Sequence, residues 1–207
     1  MKIGVIGGGN VGTALAKRLV PKGHEVMLSF SRDDETLKRT AKELGASFGS
    51  PAEAAAFGDV VALTVPWGAI EGALAQVGPL AGKVVWDCTN ALLPDMSGLA
   101  LGTTTSGGET VAERLPQAMV VKGIPPFAEL LHSDDPTVGG RPVGVFVAGD
   151  DAAAKAVVAS LLEALPAIVT DAGGLTAARF IEPAMMLLVS LAYKQGMGPR
   201  IALDLIK

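Results

Sequence analysis

A run of apolar residues at the start of the chain leads directly into Gly7, Gly9 and Gly12, which have the spacing G-x-G-x-x-G. Asn10 and Val11, inside this motif, begin a pattern of helical period. In such a turn the first glycine permits a tight bend, the second leaves room for phosphate groups, and the third lets the helix pack close to the strand. The helix N-terminus adds free N–H groups and the positive end of a dipole. The motif therefore predicts a strand, turn and helix that hold the pyrophosphate of a dinucleotide.

The rest of the chain alternates apolar strand patterns with amphipathic helix patterns joined by short loops. This alternation predicts an α/β fold, a Rossmann-type doubly wound and mainly parallel sheet. Residues 1–172 would form this dinucleotide-binding domain, and residues 173–207 a small segment that is helical to the end of the chain. We expect capping boxes at Ser50 to Glu53 and at Ser106 to Glu109, and an irregular stretch at 125–140.

Composition narrows the classes of protein that the chain can represent. Its 207 residues carry a net charge of −4 without a basic run, which argues against nucleic acid or an anionic membrane as a partner. The single cysteine, Cys88, and an N-terminus that opens on a strand instead of a signal segment both predict a cytoplasmic protein. The apolar stretch 183–193 is too short to cross a bilayer, and we interpret it as a buried helix. The sequence has no cluster of metal ligands, so no metal is expected.

The end of the second strand indicates which dinucleotide is bound. NAD sites usually have an acidic residue there, whereas this chain has Ser29-Phe30-Ser31-Arg32. Ser31 offers a hydroxyl group and Arg32 a planar set of donors for a 2′-phosphate, so NADP is favoured over NAD. Alternatively, Arg32 is a solvated surface charge, and Asp33 with Asp34 caps the next helix.

Ligands of open parallel sheets lie outside the carboxyl ends of the strands, at the point where the strand order reverses. The candidate cofactor residues at these strand ends are Thr64, Val65, Pro66, Trp67, Thr89 and Asn90. Trp67 can cover the cofactor or belong to the core of its own helix, since it has apolar helical spacing. Asn90 can bind a carboxamide or ribose, or serve as an ordinary turn residue.

No side chain in the predicted site is an obvious catalytic acid or base, so no catalytic residue is assigned. His24 and His132 are better explained as loop or strand-edge residues. Lys122 is expected to face the crevice, where it can polarise a carbonyl or be a solvated charge. A hydride that moves between two rings needs orientation and exclusion of water more than it needs proton donors.

The chain resembles the NADPH-dependent reductases of the deazaflavin coenzyme F-420 (F420) over nearly its whole length. The resemblance is carried by GGGNVG at 7–12, SFSR at 29–32, TVPW at 64–67, WDCTNAL at 86–92, DAGGL at 171–175 and GMGPRIALDL at 196–205. It implies that Ser31 and Arg32 bind the 2′-phosphate, that Val65 to Trp67 lie near the nicotinamide half, and that the C-terminal segment closes over the second substrate. It also implies hydride transfer between NADP(H) and F420, with the two rings near Ile124, Pro125 and Met197.

One difference from the family leaves the second substrate open. Family members commonly have a polar residue after the sixth strand, where this chain has Ile124-Pro125-Pro126-Phe127. A flavin, a ferric chelate or a small imine or keto acid are alternative acceptors, and a non-catalytic NADP sensor is a further alternative. The apolar face of residues 184–192 predicts a homodimer, although the same face can simply pack against the sheet.

Overall fold

The computed structural model describes residues 1–31, 33–78 and 80–205, which form one sheet of eight strands flanked by helices. The strands are β1 (Lys2–Ile6), β2 (Glu25–Ser29), β3 (Ser47–Phe48), β4 (Val60–Leu63), β5 (Val84–Asp87), β6 (Met119–Lys122), β7 (Val143–Gly149) and β8 (Ala167–Asp171). The helices are α1 (Asn10–Leu19), α2 (Asp34–Glu43), α3 (Pro51–Phe57), α4 (Ile70–Val77), α5 (Gly107–Arg114), α6 (Ala128–His132), α7 (Ala152–Glu163) and α8 (Ala178–Val189).

The strand order is β3-β2-β1-β4-β5-β6-β7-β8. Strands β1 to β6 pair in parallel, β7 runs antiparallel to β6, and β8 is parallel to β7. The order reverses between β1 and β4, which leaves a crevice at the carboxyl ends of these two strands. The predicted Rossmann-type, mainly parallel fold is thus confirmed.

Strand β4 explains why the sheet needs helices on both faces. All four of its residues are buried, and they alternate between two apolar cores. Val60 and Ala62 face the core that contains Leu15 of α1, whereas Val61 and Leu63 face the core that contains Ile70 of α4. A strand buried on both faces is continuously apolar, because neither row of side chains meets water.

The two predicted capping boxes differ in the structure. Ser50 and Glu53 form the full reciprocal box at the start of α3. Ser106 accepts from the N–H of Glu109, but the Glu109 carboxylate does not return to the backbone of Ser106. The carboxylate instead accepts from the Ser106 hydroxyl group and from Nε and Nη2 of Arg179, so the second prediction is only half right because a tertiary ion pair competes for the carboxylate.

Two predictions about the later part of the chain are wrong. The stretch 125–140 contains helix α6, since Ala128, Leu130 and Leu131 form an apolar face that packs in the main core. The chain is not helical to its end either: helical structure stops at Lys194, and residues 195–205 follow in an irregular path. This tail crosses β7 where a Cβ on Gly144 would lie 2.4 Å from the carbonyl oxygen of Leu203.

The helix that contains the apolar stretch 183–193 extends well beyond that stretch and is less buried than the sequence suggested. A 3-10 turn, α8 and a π-helical turn form one 20-residue helical run, Leu175–Lys194, whose most apolar 18-residue window has a mean hydropathy of 1.5 and is 33% buried. Within the described residues it alone is long and apolar enough to cross a membrane. A core helix of a globular protein passes the same test, and this one carries the buried Glu182. The expectation of a short buried helix is wrong, because one face packs on the sheet and the other is exposed.

Candidate functional site

The glycine turn lies at the carboxyl end of β1, at the point where the strand order reverses. Gly7 has φ +127°, a conformation that favours glycine, and a Cβ at Gly12 would lie 1.9 Å from the carbonyl oxygen of Gly7. At Gly9 a Cβ would meet no atom within 4 Å, so this glycine faces open space. The first and third glycines are therefore required by the protein itself, whereas the second leaves room for a ligand.

Helix α1 begins without a capping side chain. Its N-cap residue is Gly9, no acidic residue lies in its first turn, and Asn10 and Val11 are its first two residues. The helices α2, α3, α5 and α7, by contrast, are each capped by an Asp or Ser side chain. The first N–H groups of a helix have no partner within the helix, so an uncapped N-terminus is suited to an anion. This N-terminus fits the pyrophosphate of a dinucleotide.

The end of helix α6 is hydrogen-bonded to helix α1. Lys17 donates to the carbonyl oxygen of His132 at 2.5 Å, and Arg18 donates to those of Leu131 and Ser133. His132 Nε2 lies 3.1 Å from the carbonyl oxygen of Asn10, which can only accept, so this nitrogen is the donor. His132 is thus the last residue of a short helix, not a loop or strand-edge residue, and it steadies the first turn of α1.

The predicted 2′-phosphate site follows β2. Ser31 is exposed, and its hydroxyl group bonds the backbone of Asp33, while Arg32 lies outside the described residues. Asp33 caps α2, as the alternative interpretation expected, and bonds to Thr36 lower the pKa of its carboxyl group. A cavity of about 430 Å³ adjoins Ser31 and is within the size range of small-molecule sites. It is lined by Phe30, Ser31, Asp34, Phe48, Gly49, Ser50, Pro51 and Gln76.

The segment after β4 divides into supporting and exposed residues. Thr64 and Val65 are buried, and the Thr64 hydroxyl group donates to the carbonyl oxygen of Gly7. Pro66 is exposed, and Trp67 is half-buried in the core around α4, so close to α5 that a Cβ on Gly107 would lie 3.1 Å from its ring. Thr64 therefore shapes the glycine turn, whereas Pro66 and one side of Trp67 are accessible.

The segment after β5 lies beside the C-terminal helix. Thr89 is buried, and its N–H and hydroxyl groups both donate to Asp87 Oδ1, at 2.9 and 2.7 Å. Asn90 donates from Nδ2 to the carbonyl oxygen of Glu182 at 3.2 Å. Because that carbonyl can only accept, the amide orientation of Asn90 is fixed, and its Oδ1 is a buried acceptor that has no partner among the described residues. Asn90, more than Thr89, can present a polar group to a cofactor.

A buried charge cluster links these strand ends, and the sequence reasoning missed it. Lys122 Nζ lies 2.6 Å from Asp87 Oδ2, an ion pair outside hydrogen-bonding angles, and 2.8 Å from Glu182 Oε1. Burial alone would lower the pKa of Lys122, but the charges of Asp87 and Glu182 outweigh it and hold that pKa above its usual value. The expected exposure of Lys122 to the crevice is wrong, because its side chain is wholly buried. The missed signal was a single charge at the end of each of two apolar strands, together with Glu182 in a mainly apolar helix.

The residues expected at the second-substrate site are not equally accessible. Ile124 and Pro125 are buried. Ile124 packs with Ala148 of β7 and Ile181 of α8 in a third small core. Met197 is 60% exposed, beyond the π-helical turn. Because they are buried, Ile124 and Pro125 are less accessible to a second substrate than Met197 is.

Tyr193, in the π-helical turn, joins the C-terminal segment to α6. Its hydroxyl group donates to Glu129 Oε1 at 3.0 Å, and its ring meets that of Phe127 edge-to-face at 5.8 Å between centroids. Burial, and then the contact with Glu129, raises the pKa of Tyr193 to about 12. The sequence reasoning did not single out this residue.

An uncapped glycine turn at the switch point of a doubly wound sheet defines a dinucleotide-binding protein of Rossmann type. The sequence profile of the NADP oxidoreductase coenzyme F420-dependent family matches residues 2–91. A crystal structure of a provisionally described F420-dependent NADP-reductase from Arthrobacter sp. FB24 is 31% identical, with a TM-score of 0.88 and 100% of both chains covered. The chain belongs to this family and is an NADP-dependent oxidoreductase.

Two further structures show how far the likeness extends. A hypothetical protein from Sinorhizobium meliloti is 29% identical, with a TM-score of 0.75 over 100% of this chain and 95% of the other. A reductive aminase from Aspergillus terreus, in complex with NADPH and ethyl-5-oxohexanoate, is 20% identical, with a TM-score of 0.70 over 94% of this chain and 62% of its own. At this identity the comparison with the aminase shows only that the two proteins have the same fold.

Proposed function

We propose that this protein transfers a hydride between NADP(H) and a deazaflavin, F420, or a similar ring acceptor. The observation that carries the proposal is the open N-terminus of α1 beside Gly9, in a chain of the F420-dependent family. The N–H groups of Gly9 to Gly12 would bind the pyrophosphate. Ser31 and Arg32 would bind the 2′-phosphate, which distinguishes NADP(H) from NAD(H).

The nicotinamide half would lie along the ends of β4 and β5. Pro66 and Trp67 would border it on one side, and Asn90 would bond its carboxamide or ribose. When bound, NADP(H) supplies or accepts the hydride at its nicotinamide ring. The second ring would lie against the C-terminal segment, with Ile124 and Pro125 beneath it and Met197 at its edge.

The side chains near these strand ends favour orientation over acid–base chemistry. Lys122 is held by two carboxylates, and burial, followed by the charge of Asp87, raises the pKa of the Cys88 thiol well above its usual value. Neither group is suited to give or take a proton at neutral pH. The work of the site would then be to align two rings and to exclude water, and no catalytic side chain is assigned.

The acceptor can be identified by its ability to oxidise NADPH. The protein would be mixed in a stopped-flow spectrophotometer with NADPH and, in separate runs, F420, a flavin, a ferric chelate, and imine and keto-acid panels. Fast loss of NADPH absorbance with F420, and slow loss with the others, would support the proposal. Oxidation by a different acceptor alone would replace F420 with that substrate. NADPH binding without oxidation by any of them would favour a sensor.

We further propose a cytoplasmic homodimer that does not bind nucleic acid or membranes. Phe180, Ala184, Leu187 and Leu191 have spacings of four, three and four residues along the C-terminal helix, which is typical of a helix–helix seam. Phe180 is 75% and Leu187 53% exposed. A second copy that presents the same stripe across a two-fold axis would cover both.

A further inference from the structure

The proposed function leaves one group of residues without a role. Asp87, Lys122 and Glu182 carry charges, yet each is at most 1% exposed. Buried charges are costly unless they are paired, and replacing such a cluster with apolar residues often stabilises a protein. Stability alone is therefore a weak explanation for this cluster.

Several polar contacts hold the charges of the cluster. Lys122 Nζ forms ion pairs with Asp87 and Glu182 and also donates a hydrogen bond to the carbonyl oxygen of Thr89 at 2.9 Å. Glu182 accepts from the N–H groups of Gly107 and Gly108 at 2.9 and 3.0 Å, so it caps the start of α5. The cluster has two carboxylates and one ammonium group, and the positive end of this helix offsets the extra negative charge.

Residues of the cluster also hold Thr89 and Asn90. Asp87 and Lys122 hold the backbone of Thr89 from two sides, and the carbonyl oxygen of Glu182 holds the side chain of Asn90. Three elements that are remote in sequence, β5, β6 and α8, thereby fix one short segment at the carboxyl end of the sheet.

We infer that Glu182, acting with Lys122 and Asp87, is a positioning residue that holds Asn90 against the carboxamide of the nicotinamide ring. The inference rests on the proposed function, because it needs the dinucleotide to lie across the ends of β4 and β5. It assigns no contact between Glu182 and the cofactor. Displacement of Asn90 would leave the pyrophosphate and adenosine contacts intact, since these belong to β1, α1 and β2.

The test compares two ligands on the whole protein by calorimetry. One is NADPH, and the other is 2′-phospho-ADP-ribose, which has every part of NADPH except the nicotinamide ring. In Glu182→Gln we expect NADPH to bind about tenfold more weakly, because small displacements at a site have large effects, and 2′-phospho-ADP-ribose to bind as to wild type. We also expect NADPH to change its nicotinamide fluorescence on binding to wild type and to show a smaller change on binding to Glu182→Gln.

The matched control is Glu109→Gln. Glu109 also joins α5 to α8, through Arg179 Nη2 at 2.6 Å, but it does not contact Thr89 or Asn90. Both ligands should bind this variant as they bind wild type. Equal weakening of both ligands by Glu182→Gln, or no weakening of NADPH, would overturn the inference.

If Glu182→Gln does not fold, the variant Asn90→Ala still tests the inference. Asn90→Ala should show the same selective loss of NADPH affinity, and in the double variant the two losses should not add. Unchanged NADPH affinity in Asn90→Ala would overturn the inference while leaving NADPH binding itself intact. Wild-type protein that binds neither ligand would instead overturn the proposed function, and this inference with it.

Discussion

Thr64 Oγ1 donates a hydrogen bond of 2.8 Å to the carbonyl oxygen of Gly7. The two residues directly follow the neighbouring parallel strands β1 and β4, at the point where the order of the sheet reverses. The N–H of Gly7 is taken by the carbonyl oxygen of Ser29, from the strand on the other side. Gly7 is thus held from both neighbouring strands, which leaves the later part of the turn free for a ligand.

We predict that Thr64→Val removes a hydrogen bond from this turn without leaving a cavity in the core. Valine has nearly the same shape but leaves the buried carbonyl oxygen of Gly7 without its side-chain donor. We expect a loss of about 1–2 kcal/mol in the free energy of unfolding, together with weaker NADPH binding. Urea denaturation and calorimetry measure the two effects, and an unchanged NADPH affinity would show that Thr64 does not shape the site.

Gly9→Ala separates ligand binding from folding. A Cβ at this position meets no protein atom within 4 Å, so we expect a stability within about 0.5 kcal/mol of wild type. The new methyl group would occupy the space of the pyrophosphate, and NADPH should bind at least about tenfold more weakly.

Gly72→Ala, on the exposed face of α4, is the control for that substitution because its Cβ also meets no atom within 4 Å. It should raise the melting temperature, since alanine favours a helix, and leave NADPH binding unchanged. Normal NADPH affinity in Gly9→Ala would contradict the assigned position of the pyrophosphate.

The sequence predicted the parts of this protein that depend on local patterns. The glycine spacing, the continuously apolar β4 and the Ser50 capping box each depend on residues close together in the chain, and the structure contains all three. The parallel order of the sheet follows from such units, because strands joined by helices pair in parallel.

Features that depend on remote partners could not be predicted in the same way. Lys122 follows three apolar residues at the end of a strand, where a lysine usually reaches solvent; only Asp87 and Glu182 make its burial possible. The carboxylate of Glu109 similarly bonds Arg179, 70 residues later, and the hydroxyl group of Ser106 instead of its backbone. Arg32 lies outside the described residues, so its role stays a prediction.

Arg32→Ala should change the preference between the two nicotinamide cofactors. If the guanidinium group binds the 2′-phosphate, the substitution should cost about 1–3 kcal/mol in NADPH binding and little in NADH binding. Arg39→Ala, on helix α2, is a charge-matched control that should leave both affinities unchanged. Equal weakening of NADPH and NADH in Arg32→Ala would remove the argument for NADP specificity.

The ion pair between Glu109 and Arg179 predicts a pH dependence of stability. The hydrogen bonds from Arg179 lower the pKa of Glu109 below its ordinary value of 4.5. A carboxyl group with a lowered folded-state pKa stabilises the protein above its unfolded-state pKa, and this stabilisation is lost as the pH falls through the folded-state pKa.

We therefore expect Glu109→Gln to cost about 0.5–1 kcal/mol at neutral pH, since Arg179 is partly exposed to solvent. The difference from wild type should stay constant down to about pH 5 and should shrink as the pH falls below 4.5. Denaturation curves at several pH values measure it, and a difference that grew in acid would contradict the assigned direction.

Leu187→Glu tests the proposed dimer seam on the C-terminal helix. Leu187 is 53% exposed on one copy, and the seam would bury it against a second copy, where a carboxylate without a partner is strongly disfavoured. We expect wild type to sediment as a dimer and the variant as a monomer. Met96→Glu, on a loop where Met96 is 45% exposed, changes the charge equally and should remain a dimer. A wild-type monomer at all concentrations, or an equally dimeric Leu187→Glu variant, would assign the exposed stripe of the helix to something other than self-association.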